Sequence, residues 1–402
     1  MKSISATNRQ SGAVSLFVVL FATLLITIVT VSFLRLMIKD QTQASNADLS
    51  QSAYDSSQAG VEDAKRALLN YQNVCATGAG ACTALAAQIN AAACNDALRL
   101  GNVVTDPAGE VSIQQTSNGT TDAKLDQAYT CVKIALDTPD YLGTLSAYQS
   151  RIVPLYAGGA TFDTVTVEWY SLDDISTTNT TKTVSLEGVS TGQSLYKTTT
   201  WPSGRPAVMR AQFMQFGSSF TLDQFNSNVN SGGDVLSNAN TLFLYPTSNV
   251  TALSRSFTTY DKRQTAKVAA DAPLPIHCED TLAAGGFACS AKLTLPNPVT
   301  GGDRTAYLRL TPFYSATHFR VTMTNGASST VPVPFHGVQP EIDSTGRAND
   351  LFRRVKTRVE LIDTTFPYPD AEIDTTGNLC KDFSLTDVAA DYPTYNPVPC
   401  TP

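Results

Sequence analysis

The residue types that carry catalysis are thinly spread along this chain. It has three histidines, His277, His318 and His336, and none belongs to an H-E-x-x-H pair that would hold a metal on one helix face. No phosphate-binding loop closing on Gly–Lys–Ser/Thr occurs. His318 lies in an alternating stretch beside Arg320, opposite Phe319 and Val321, and reads as an exposed strand position. Two adjacent carboxylate pairs, Asp173–Asp174 and Glu279–Asp280, would do acid–base work only if both groups faced one substrate. Strand neighbours point to opposite faces, and loop neighbours are ordinarily solvated. For a hard cation such as calcium the best set is Asp343, Asn349 and Asp350 within DSTGRAND, because oxygen ligands suit that ion. The stretch lacks the EF-hand spacing and closing Glu, and reads more simply as a glycine-containing β-turn. The expectation is a chain that is not an enzyme and carries neither metal nor cofactor.

The eight cysteines do different chemistry. Cys75, Cys82, Cys94, Cys131, Cys278, Cys289, Cys380 and Cys400 form no CxxC, and only His277–Cys278 adjoin, so structural zinc is not expected. An even number outside the apolar N-terminal stretch suits disulfides in an oxidising compartment. Cys278 with Cys289 and Cys380 with Cys400 each bracket a short loop, whereas the first four allow three pairings. The 402 residues carry 28 Lys and Arg against 35 Asp and Glu, a net charge of −7, so no nucleic-acid partner is expected. The one basic cluster, Arg353 to Arg358, alternates with Val355 and Thr357 and reads as the solvated face of a strand. Charged residues make up only 16%, and Thr, Ser, Asn and Gly take their place, as on extracellular β-rich surfaces.

These groups need elements to hold them, and the first is a long helix. Ala13 to Leu34 is 22 residues without a charge, and about 20 are needed to span a bilayer. Lys2 and Arg9 precede it and Arg35 and Lys39 follow. The run is too long for a secretory signal peptide and lacks a small-x-small cleavage site beyond it. Gln41 to Tyr71 has no proline and one glycine, Gly60; Leu49, Ala53, Gly60, Ala64, Ala67 and Leu68 recur at three- and four-residue steps, with Ser56 and Ser57 filling the longer gap. The apolar span is therefore expected to continue into one helix from Ala13 to Tyr71, roughly 90 Å long, seated by Val61, Ala64 and Leu68.

RQSGAVSLFVVLFATLLITIVTVSFLRL followed by QASNADLSQSAYDSSQAGVEDAKRAL resembles the N-terminus of type IV pilin-like proteins, nearest the PilX-type minor pilins, over about the first seventy residues. The resemblance implies a leader of residues 1–12 removed by cleavage between Gly12 and Ala13. It implies a helix, with Phe17, Leu20, Leu24 and Ile28 along it, that first sits in the membrane at 13–34 and then packs among other pilin subunits. Most major pilins carry Glu at the fifth mature position, to pair with a neighbouring subunit's N-terminal amine; here that position is Phe17. The departure points to a minor, tip or priming subunit. The implied location is the cell membrane, single-pass with the bulk outside, and then the pilus, with the head meeting a surface or host-cell ligand. A single-span surface adhesin outside any filament is the alternative, and a surface hydrolase the third class.

Beyond the helix, residues 72–159 read as a cysteine-containing helical and irregular region. From 160 to 402 alternating stretches such as TFDTVTVEWYSL, TAYLRLTPFY and THFRVTMTN, separated by turns, read as antiparallel strands. They suit one large sandwich or two units parted near 261–275. The fold class expected is α+β: a long N-terminal membrane helix carrying a β-rich, antiparallel extracellular head.

Overall fold

The computed structural model describes residues 11–77, 79–90, 93–113, 116–117, 120–121, 126–187, 198–217, 239–248, 254–256, 274–300, 304–326 and 328–361. Helix α1 (Ser11–Thr77) is followed by α2 (Ala79–Ile89) and a 3-10 turn (Asp96–Gly101). Strands follow in order: β1 (Val111–Ser112), β2 (Thr116–Ser117), β3 (Thr120–Thr121), β4 (Gln127–Thr138), β5 (Tyr141–Leu145), β6 (Arg151–Leu155), β7 (Phe162–Ser171), β8 (Val208–Gly217) and β9 (Ala239–Thr247). The remainder are β10 (Ser254–Ser256), β11 (Leu274–His277), β12 (Phe287–Val299), β13 (Arg304–Phe313), β14 (Thr317–Thr324), β15 (Pro332–Val333), β16 (Phe335–Ala348) and β17 (Leu351–Arg358). The chain thus pairs a long N-terminal apolar helix with an antiparallel-rich β region. Strands begin well before residue 160: β4, β5 and β6 all fall where a helical and irregular region was expected. The signal was present, since Val132, Ile134 and Leu136 alternate in β4 and are buried.

The chain divides into two compact units, Met1–Ile134 with Ile342–Thr357, and Ala135–Glu341 with Arg358–Pro402. In the first, α1 is a single helix of 67 residues, about 100 Å long at 1.5 Å per residue. No proline interrupts it. Along its second half Ala53, Ser56, Ser57, Val61, Ala64, Ala67 and Leu68 are buried. Around Ala53 to Gly60 the helix faces β4 and β16, strands of a four-stranded sheet ordered β1-β4-β16-β17, and near Ala67 it meets the 3-10 turn at Gly101. Small side chains let the backbones come close. A methyl group on Gly60 would lie 2.8 Å from Val132 Cγ2 and 3.1 Å from Tyr129 Cγ. One on Gly346 of β16 would run into the α1 backbone at Ala53, Ser56 and Ser57. The buried serines have partners: Ser56 Oγ donates to Ser52 O at 2.8 Å, Ser57 Oγ to Tyr54 O at 2.6 Å, and Ser344 Oγ to Ser57 O at 2.7 Å. Burying these hydroxyls without partners would be costly.

The second unit is a two-sheet sandwich. One sheet runs β10-β12-β7-β14-β15, with β5 also on β14; the other runs β11-β9-β8-β13-β6. The central pairs are antiparallel, and the short edge strands β10 and β11 pair in parallel. Val165, Val167, Trp169, Phe319 and Val321 from the first sheet and Met209, Phe213, Leu244, Leu308 and Leu310 from the second share one buried core. The period of two places those residues on one face. Trp169 Nε1 donates to Ala207 O at 3.0 Å, satisfying the buried indole. Residues 257–273 lie outside the described residues. Strands before and after them share both sheets, because β9 pairs β11 and β7 pairs β12, so the sandwich is not parted near 261–275.

Candidate functional site

The first half of α1 is apolar on every side and bare. Leu16, Phe17, Leu20, Phe21, Leu24, Leu25, Ile28, Val29, Phe33 and Ile38 each keep half or more of their surface exposed. An all-round apolar helix belongs inside a membrane or a bundle rather than in water. Among the described residues this is the one helix long and apolar enough to cross a membrane. Its few hydroxyls are turned inward: Thr23 Oγ1 donates to Leu20 O at 3.0 Å, Thr27 Oγ1 to Leu24 O at 2.8 Å and Thr30 Oγ1 to Ile26 O at 2.7 Å. No polar group of these threonines then needs water, as a lipid or helix-bundle environment requires. Gly12 and Ala13 lie in the first turn of the helix. Phe17 stacks on Phe21 one turn later, with ring centroids 6.2 Å apart. Leu20, Leu24 and Ile28 continue the row at three- and four-residue spacing.

The second half of α1 is held by polar contacts as well as small side chains. Tyr129 of β4 donates its hydroxyl to Asp63 Oδ2 at 2.6 Å, and Arg66 pairs with the same carboxylate at 2.9 Å. Burial, then the hydrogen bond to Asp63 and its negative charge, raise the Tyr129 phenol far above its ordinary value of 10.0. The neutral phenol is the stabilising form, so its contribution is complete below pH 10.0 and is lost as the pH climbs above it. Tyr129→Phe is expected to lower the stability of the first unit by about 1–2 kcal/mol at neutral pH. It should also flatten the alkaline loss, as measured by urea unfolding between about pH 8 and about pH 11.

Three disulfides are formed among the described residues. Cys75 at the end of α1 joins Cys82 of α2, Cys94 joins Cys131 of β4, and Cys278 joins Cys289, closing the short loop between them. The first two choose one of the three pairings open to the first four cysteines. Cys94–Cys131 spans 37 residues, so by loop entropy it constrains the unfolded chain most. Cys380 and Cys400 lie outside the described residues.

Other candidate groups are placed differently from expectation. DSTGRAND is not a turn: Asp343 to Ala348 continue β16, and the turn is Asn349–Asp350, with Asn349 left-handed at φ 49°. Asp343 is six residues along the strand from Asn349, roughly 20 Å at strand rise, and is bound to Arg354. Asp343, Asn349 and Asp350 are therefore not brought together for a cation. The basic stretch is neutralised in part, since Arg354 pairs with Asp343 and Arg358 with Asp140 at 2.6 Å, while Arg353 donates to the uncharged Ser50 Oγ at 2.8 Å. Asp173 and Asp174 lie in a 3-10 turn, Leu172–Asp174, with Asp173 exposed as expected and Asp174 not. The Asp174 side chain is only 8% exposed and lies 2.8 Å from His318 Nδ1. His318 is thus anchored rather than free on its strand. This contact spans 144 residues, and no local pattern signals it. Glu279 lies 3.4 Å from His277, and His336 Nδ1 lies 2.6 Å from Asp137. Of the glycosylation sequons at Asn118, Asn179 and Asn249, only the second is described, and its amide donates to Thr183 O at 2.7 Å.

Gly188 to Gly192, GVSTG, spells the G-x-S-x-G of nucleophilic serines, a match that the expectation of a chain without enzyme activity leaves out of account. It lies outside the described residues. A nucleophile elbow joins a strand to a helix. Here Thr183 and Glu187 before it make isolated bridges only, and Thr198–Thr200 after it is one 3-10 turn. No protein-family model and no curated protein matches the chain.

Proposed function

We propose that this chain is a pilin-like structural subunit of a type IV pilus-like filament, of the minor, tip or priming kind. One observation carries the reading: a single continuous helix whose first half is bare and apolar all round and whose second half is seated by small side chains under a sheet. Such a helix exchanges one apolar environment for another as it passes from membrane to filament, so moving it costs little hydrophobic free energy. In this reading cleavage after Gly12 frees Ala13, and the row Phe17, Leu20, Leu24 and Ile28 packs against neighbouring subunits. Phe17 stands where a carboxylate would otherwise need a partner amine in an apolar core, which suits a subunit that does not repeat along the shaft. The β sandwich supplies the outward surface for a cell or surface ligand.

Electron microscopy of purified filaments, with an epitope label in the second unit, tests this. Sparse or terminal label is expected. Uniform label along the shaft would remove the minor-subunit assignment, and label confined to the cell envelope would favour a single-span adhesin.

A further inference from the structure

Tyr170 is the penultimate residue of β7 and adopts a left-handed backbone, φ 70°, a conformation bulky residues rarely take. Its surroundings hold it there. Tyr170 N–H donates to Thr317 Oγ1 at 3.0 Å. The Asp174 carboxylate accepts Ser171 N–H at 2.8 Å and His318 N–H at 3.0 Å, and lies 2.8 Å from His318 Nδ1. Strain retained under this many constraints marks sites that are kept for use. Beside Tyr170 is a cavity of about 460 Å³, within the range of small-molecule sites.

The wall of the cavity selects a chemical class. Ile175 and Val184, both nearly buried, close the floor beside Tyr170, and Ser176, Ser185 and Ser203 bring hydroxyls. Among the described residues no Lys or Arg lines it, so an anion finds no counter-charge from them. Among the described lining residues Asp174 is the one carboxylate, and its oxygens are already held by backbone and His318, so a cation gains little. Burial and the neighbouring Asp174 push the Tyr170 phenol up to about 12, leaving it an uncharged donor at neutral pH.

We propose that this cavity binds a neutral saccharide, its hydroxyls meeting Ser185, Ser203 and the Tyr170 phenol over a floor closed by Ile175 and Val184. The inference is independent of filament assembly and stands or falls separately.

Saturation-transfer NMR tests it on the full chain in a zwitterionic, sugar-free detergent. The probes are glucose, galactose, mannose and N-acetylglucosamine, with glucose 6-phosphate as the charged arm. Transfer to at least one neutral sugar is expected. Ser203→Trp, at an exposed turn position that fills the cavity mouth, should abolish it. Tyr170→Phe, which keeps the buried ring and removes one hydrogen bond, should weaken it about tenfold. Circular dichroism checks that each variant folds, and Tyr170→Phe decides the matter should Ser203→Trp misfold. Absence of transfer to all four neutral sugars, unchanged binding in the folded variants, or preference for the phosphorylated sugar would overturn the proposal.

Discussion

Gly346→Val is expected to dislodge the second half of α1 from β16 and to destabilise the first unit by at least about 3 kcal/mol, the upper end for overpacking. The obstacle at this position is backbone. A Cβ there would meet Ser56 C at 2.9 Å and the main chain of Ala53 and Ser57 closer still. A flexible side chain could swing away, but a helix backbone bonded to its own turns cannot. Gly346 has no left-handed φ to maintain, so the effect isolates the close approach from backbone strain. Gly80→Ala is the matched control. Nothing lies within 4 Å of a methyl group there, and alanine in place of glycine in α2 should stabilise by up to about 1 kcal/mol. Urea unfolding and limited proteolysis of α1 measure both variants. A Gly346→Val chain as stable as the parent would mean that helix and strand do not pack as described.

Leu24→Arg combined with Ile28→Arg is expected to release the chain from membranes. On an insertion scale each replacement removes roughly 0.5 kcal/mol of favourable transfer and adds about 3 kcal/mol of cost, a total near 7 kcal/mol. That is of the same order as the whole favourable transfer of the apolar stretch. Both side chains are more than half exposed, so no core contact is lost and any effect reports the environment of the bare helix. Thr27→Val, which removes a hydroxyl already bonded to Leu24 O at 2.8 Å, should leave membrane retention intact. Extraction of the membrane fraction with alkaline carbonate distinguishes them. Full retention of the double variant would count against the membrane reading.

The helix was legible because its information is local. Absence of proline, an unbroken apolar run and small residues at three- and four-residue steps all lie within 67 residues, and Ala53, Ala64, Ala67 and Leu68 are buried as that spacing implies. It outlasts Tyr71, running to Thr77, because no proline or glycine falls between them. The alternation of Val165, Val167 and Trp169 likewise declared a sandwich face. What was not legible depends on distant partners. Gly346 looked like a turn glycine because turns are the common reason for glycine; its use here is set by a helix nearly three hundred residues earlier, where Ser344 meets Ser57 at a separation of 287. Asp174 looked solvated because its partner His318 is far along the chain. In β4, the Ala-rich, cysteine-containing run that precedes it in the chain drew attention from the period of two that Val132, Ile134 and Leu136 carry.

The central claim is that the apolar helix is both a membrane element and the N-terminus of an assembled subunit. The mass of the N-terminal peptide of the chain recovered from its native envelope tests it most directly. A peptide beginning at Ala13, with or without a methyl group on its amine, is the expected result. An intact Met1 would contradict the account and leave a plain single-span anchor.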